Sequence, residues 1–186
     1  FAFEKFKNFD GASWRELIEQ RRVRRKARVA LPIYGSDISG AVLKAAQANL
    51  AGAGLEQVVS LQRADVLEIT APAQEGIIVT NPPYGRGLGD AFVLKALELT
   101  AKTSGSVAML LNLSSLAHPT RHALWTEHPP AAIYALDELV CWPEGKRELA
   151  RSTTASHRYC WVVWKQGHTG RPAFWWLSVG AFNGGS

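Results

Sequence analysis

No apolar run in this 186-residue chain approaches the roughly 20 residues that cross a bilayer, and no charged-then-apolar segment opens it. Those two absences argue against a membrane-spanning or secreted protein. Cysteine is scarce. Cys141 and Cys160 lie far apart with no CxxC spacing, which indicates neither a disulfide framework nor a zinc site and points to the reducing cytoplasm. Internal repeats and low-complexity tracts are missing as well. His118 and His122 have i, i+4 spacing, but Pro119 lies between them and no Glu completes an HExxH pattern; a surface or capping role is expected, and no metal. Ser114-Ser115 and Ser152-Thr153-Thr154 have no base at a recognisable spacing, so a hydrolase triad is not supported.

What is present builds a folded domain. Apolar residues make up 47% of the chain and charged residues 20%, a balance that argues against intrinsic disorder. The length suits a single domain. The net charge is +5, and it is unevenly spread. Six of the eight residues 21–28 are basic: Arg21, Arg22, Arg24, Arg25, Lys26 and Arg28. Such a cluster releases counterions from a phosphate backbone, or else it is a solvated helix face.

Hydrophobic patterning divides the chain into a basic helical lead-in (1–30), a central half (31–117) and a Trp-rich half (118–186). Ser13-Trp14-Arg15-Glu16 fits a capping box for a helix that runs into the basic cluster. Ile33 to Asp37 reads as a strand. A helix follows, capped by Ser39, with Val42, Leu43, Ala46 and Leu50 on one face and Gly52 and Gly54 as stops. Val58 to Leu61 is a second strand. Gly76 to Thr80 is a third, a continuous apolar run of the kind buried on both faces. A helix from Asp90 to Thr100 and a buried strand from Val107 to Leu111 come next. Alternating strands and helices imply βα units and a parallel sheet, an α/β fold. Six of the seven tryptophans lie beyond residue 120, where they are expected in the core and on sheet faces. Candidate strands there are Ala132 to Leu136, Tyr159 to Lys165 and Ala173 to Val179. Gln166 to Gly170 supplies a turn that would make the last two an antiparallel pair. Glu144 to Ser156 is polar and reads as a loop.

Asn81-Pro82-Pro83-Tyr84 stands directly after a buried strand, where open α/β sheets place their ligands. The segment resembles the NPPY motif of S-adenosylmethionine-dependent methyltransferases that modify exocyclic amines of adenine or guanine. That chemistry needs acceptors, because the lone pair of a base amine is delocalised into its ring. The Asn81 side-chain oxygen and the Pro82 carbonyl are the candidates for orienting it. Pro82 and Pro83 stiffen the turn, and Tyr84 offers a face on which an extruded base stacks. Asp37, at a strand end, suits ribose hydroxyls, or else caps a helix. The resemblance implies that Asp37 holds the cofactor ribose and Asp65 the cofactor adenine amine, with Asn81 beside the cofactor and Ser36 and Val66 lining the same pocket.

Residues 1–89 resemble one branch in particular, the bacterial large-subunit ribosomal RNA guanine-N2 methyltransferases that carry an RNA-binding THUMP domain upstream. The matching segments are Phe1 to Phe6, Tyr34 to Ile38, Asn49 to Gly54 and Val79 to Gly89, with Ala181 to Gly184 echoing the branch's last strand. Residues 105–180, with His128-Pro129-Pro130, Trp142-Pro143 and His157 to Trp161, look more like phage-type DNA adenine methyltransferases. The implied fold is a Rossmann-like class I methyltransferase sheet. Its first strand and glycine-rich loop are expected before Phe1, outside the chain, together with an upstream RNA-binding domain. The expected reaction is methyl transfer to a base amine of nucleic acid, ribosomal RNA guanine-N2 first and DNA adenine-N6 second. A non-catalytic nucleic-acid-binding module is the alternative from a different class.

Overall fold

The computed structural model describes residues 10–23, 30–85, 87–137 and 157–178. The chain forms two compact units, Phe1–Arg63 and Ala64–Ser186. No described helix is long and apolar enough to cross a membrane. The expectations placed on Phe1 to Phe6, Arg24, Arg25, Lys26, Arg28, Cys141, Trp142, residues 144–156 and Ala181 to Gly184 lie outside the described residues.

In the first unit, helix α1 spans Gly11–Val23. Its cap is Asp10, not Ser13. The Asp10 Oδ1 accepts from the backbone N–H groups of Ala12 (2.9 Å) and Ser13 (3.1 Å), and its carbonyl accepts from Trp14. Ser13 instead sits inside the first turn and donates its hydroxyl to Asp10 Oδ2 at 2.6 Å. Asp wins the position because both its oxygens are acceptors, so it serves two backbone donors and a hydroxyl at once. Those bonds hold its carboxyl below the usual carboxylate range. Arg21 and Arg22 fall in the last turns of α1, and Arg22 lies 3.6 Å from Glu19 as an exposed pair.

Strand β1 (Ile33–Asp37) pairs in parallel with β2 (Val59–Arg63), and α2 (Gly40–Gly52) connects them. This is the βα unit that the sequence predicts. Ser39 caps α2 through its side chain, and Gly54 follows the helix with a φ of +65°, a left-handed turn that glycine adopts without strain. Leu43, Ala46 and Leu50 are half-buried, whereas Val42 is exposed.

The second unit holds a five-stranded mixed sheet in the order β3-β4-β6-β5-β7. Its strands are β3 (Ile77–Thr80), β4 (Ser106–Asn112), β5 (Ala132–Leu136), β6 (Tyr159–Lys165) and β7 (Ala173–Leu177). Helix α3 (Leu88–Thr100) links β3 to β4, and the short α4 (His122–Glu127) precedes β5. The core gathers Val93 and Ala96 of α3, Val107, Met109 and Leu111 of β4, Ile133 of β5, and Cys160, Val162 and Trp164 of β6. Burying a side chain of Val or Met size contributes roughly 1.5–3 kcal/mol, so this cluster is the main source of cohesion for the unit. Trp164 also donates its indole N–H to the His128 carbonyl at 2.9 Å and stacks on Trp125.

Three expectations are corrected here. β3 is not buried on both faces: Ile78 packs against the core on one, while on the other Ile77 is 71% and Val79 64% exposed, with no described layer over them; among the described residues β3 pairs with β4 alone. β6 and β7 do not form a hairpin. The turn at Gly167 (φ +79°) is present, but both edges of β6 are taken by antiparallel β4 and β5, so β7 passes on to pair in parallel with β5. The alternation of Cys160, Val162 and Trp164 into the core makes β6 the interior strand. Finally, Trp175 and Trp176 are exposed, since edge strand β7 has no described layer over these side chains.

Candidate active site

The Asn81–Tyr84 turn leaves the carboxyl end of β3, beside that of its parallel neighbour β4. Pro82 is fully buried and anchors the turn, while Asn81, Pro83 and Tyr84 reach the surface. The Tyr84 hydroxyl lies 2.5 Å from Asn81 Oδ1 and 3.1 Å from the Leu110 carbonyl oxygen. One lone pair of the Asn81 oxygen is therefore engaged, and the other remains for a second donor. The Tyr84 ring is 43% exposed and lies 6.0 Å from the Tyr159 ring, at a tilt of 38°; His157 lies 6.4 Å beyond Tyr159. Aromatic faces and acceptors thus converge on one turn.

The turn runs into α3 through Gly87, whose φ of +72° explains a glycine there, and no side chain caps the helix. Beside Tyr84 opens a cavity of about 380 Å3, with Asp90, Asn112, Ser115, His118 and Arg121 among its walls. The Arg121 Nε lies 2.6 Å from Asp90 Oδ1. His118 is a capping residue, as its spacing suggests: its Nδ1 lies 2.8 Å from Thr120 Oγ1. Sequence reasoning missed Asp90, Asn112, Ser115 and Arg121 as lining groups. Asn112 had a usable signal, the end of a buried strand in an α/β sheet. The pairing of Arg121 with Asp90 joins residues far apart in sequence and leaves no local trace.

Asp37, half-buried at the end of β1, accepts the Ser39 N–H at 2.7 Å through Oδ1. Asp65, just after β2 in sequence, accepts the Leu67 N–H at 2.9 Å through Oδ1 and closes a turn with its carbonyl. In both, the capping role uses one carboxylate oxygen. The second is an acceptor of the kind that a ribose hydroxyl or an adenine amine needs, in each residue taken by itself. Ser36 is exposed and Val66 half-buried. Asp37 and Ser36 belong to the first unit, and Asp65, Val66, Asn81 and Tyr84 to the second.

Residues 2–115 match the family model described as UPF0020, RMKL-like, methyltransferase domain. The chain is 37% identical over 100 residues to a ribosomal RNA large subunit methyltransferase K/L from Shewanella baltica (strain OS185), an alignment covering 52% of this chain and 14% of that protein. Among solved structures it is similar to SMU.472 complexed with SAH, with a TM-score of 0.56 and 19% identity over 91% of this chain and 41% of the other. The 23S rRNA methyltransferase ErmE superposes with a TM-score of 0.50 and 18% identity, covering 89% of this chain and 60% of that one. These likenesses establish a Rossmann-like methyltransferase fold, and the chain spans a small part of the curated relative's length.

Proposed function

Because the chain belongs to the UPF0020 family of RMKL-like methyltransferase domains, we propose that it transfers a methyl group from S-adenosylmethionine to an exocyclic amine of ribosomal RNA, guanine-N2 first. The observation that carries this reading is the Asn81–Tyr84 turn at the carboxyl end of β3, with an anchored, half-exposed ring and an acceptor oxygen beside it. When bound, the cofactor supplies an activated methyl group. The chain supplies position. Tyr84 stacks on the extruded base, at a cost of unstacking it from its neighbours. The free lone pair of Asn81 Oδ1 and the Pro82 carbonyl accept the two amine hydrogens. That bias towards a tetrahedral nitrogen aims its lone pair at the methyl carbon, whose bond to sulfur would break as its bond to nitrogen forms, and the methylated amine would then give one proton to water. In the first unit, Asp37 with its neighbour Ser36 serves the ribose hydroxyls; in the second, Asp65 with its neighbour Val66 serves the adenine amine. The basic cluster Arg21 to Arg28 contributes phosphate contacts. In this reading the protein works in the cytoplasm on RNA and uses no metal.

A tritium-methyl assay on ribosomal RNA and on adenine-containing DNA tests the proposal. Label is expected in RNA guanine; transfer confined to DNA would reassign the target to adenine-N6. Asn81→Ala is expected to abolish transfer while calorimetric binding of S-adenosylhomocysteine persists. Near-normal turnover in that variant would remove Asn81 from the mechanism, and failure of the unaltered protein to bind S-adenosylhomocysteine would leave only a nucleic-acid-binding module.

A further inference from the structure

The cavity beside Tyr84 has a chemistry that amine methylation does not call for. Ser115 is 5% exposed, lines the cavity, and has an Oγ with no hydrogen-bond partner. A buried hydroxyl left unpaired is costly, and such groups usually signal a missing partner. The cavity is also lined by the amino end of α3, a 13-residue helix that has no side-chain cap and carries the positive end of its dipole. Arg121 bridges the two walls. Its Nε is held by Asp90, which directs the guanidinium fork, and its Nη2 comes within 3.9 Å of where a Cβ on Gly89 would sit.

Donors therefore dominate among the side chains: the Arg121 fork, the Ser115 hydroxyl and the Asn112 amide, while the helix end adds its dipole, its Leu88 and Asp90 N–H groups already donating to the Gly85 and Gly87 carbonyls. Asn112 Oδ1 already accepts from the backbone N–H and hydroxyl of Ser114, so what Asn112 has left to offer is its amino group. Asp90 is the acid in the cavity wall, and its Oδ1 is taken by Arg121. A cation or amine would meet the helix end and a guanidinium. A group bearing several acceptor oxygens would satisfy them all. We infer that this cavity binds a phosphodiester of the nucleic-acid substrate, adjacent to the nucleotide stacked on Tyr84, with Arg121 and Ser115 as donors and the positive end of the α3 dipole beside them. This rests on the reading of the substrate as nucleic acid. It adds a positioning site: gripping the backbone on one side of the base fixes how the base reaches Asn81.

The test is a fluorescence-anisotropy titration of the full chain with single-stranded RNA across a range of salt. Arg121→Gln is expected to weaken binding roughly tenfold and to lower the salt slope by about 0.7, the share of one phosphate on a single strand. Arg121→Lys should keep the slope and lose affinity, because it keeps the charge without the fork. Ser115→Ala removes an unpaired buried oxygen, so it should fold at least as well and still bind more weakly. Scanning the RNA with single methylphosphonates should find one position whose neutralisation weakens the wild type and leaves Arg121→Gln unaffected. An unchanged slope in Arg121→Gln, with unchanged affinity in Ser115→Ala, overturns the inference. So does binding of inorganic phosphate at Gly89, seen by amide chemical shifts, without any sensitive methylphosphonate position, since the site would then take free phosphate. The reading of function fails separately: Arg121-dependent RNA binding with no label transfer would overturn methyl transfer and leave the phosphate site standing.

Discussion

Tyr84 is locked to Asn81 and to the end of β4 by a single hydroxyl, shared between the Asn81 side-chain oxygen and the Leu110 carbonyl. The fold, not an arriving substrate, therefore sets the orientation of the ring. Preorganisation of this kind lowers the entropy lost when a base is captured.

Two variants at this residue separate anchoring from stacking. Tyr84→Phe keeps the ring and loses the hydroxyl, a bond worth about 1 kcal/mol. Methyl transfer should fall roughly fivefold, with RNA affinity little changed. Tyr84→Ala also removes the stacking face, worth about 1–3 kcal/mol per base. RNA affinity should then drop between about tenfold and a hundredfold. Single-turnover label transfer and anisotropy read the two effects independently, and equal behaviour of both variants would exclude stacking.

In the proposed site, Asp37 would divide its carboxylate between the Ser39 N–H and the ribose. Asp37→Asn retains an oxygen for the Ser39 N–H, 2.7 Å away, and replaces the other acceptor with a donor. Helix α2 should persist by circular dichroism. Affinity for S-adenosylhomocysteine should fall by about 1.5–3 kcal/mol, the value of a hydrogen bond to a charged group. Calorimetry that finds wild-type affinity would limit Asp37 to its capping role.

Cys160 makes stability sensitive to alkali. Burial pushes its thiol from 9.0 up to about 11. Between those values the unfolded chain has lost the proton and the folded chain still holds it, so raising the pH favours unfolding. Stability is intact below pH 9 and should fall by about 1.4 kcal/mol per pH unit until about pH 11. Urea unfolding at pH 8.5, 9.5 and 10.5 should show this slope in the wild type and a shallower one in Cys160→Ala. Parallel slopes would show that other groups govern the alkaline transition.

Local signals were read well wherever local chemistry decides the outcome. Ile33 to Asp37, Ala132 to Leu136 and Tyr159 to Lys165 are strands at the expected bounds, and Ser39 caps α2. Asp10 was passed over because a capping box at Ser13 and Glu16 matched a familiar pattern one turn too late. The partner of β7 was not legible, since a suitable turn at Gly167 says nothing about which edges of β6 are already filled. Periodicity cannot tell a central strand from a terminal one, so the apolar run of β3 was read as covered on both sides. The motif at Asn81 was legible because its residues are contiguous; the wall made by Ser115, Asp90 and Arg121 is assembled from three separate segments.

The interior place of β6 also dictates the order in which this chain can mature. β4 must wait for β6, pairing Asn112 with Tyr159 and Ser106 with Lys165, and β5 must already be waiting on the far side. During synthesis, β3 and α3 are available to β4 as it emerges, but its other edge stays unpaired until Lys165 has left the ribosome. Such distant pairing is slow and leaves a sticky edge open to other nascent chains. A stop codon between β4 and β6 should therefore leave that edge open and yield an aggregating product.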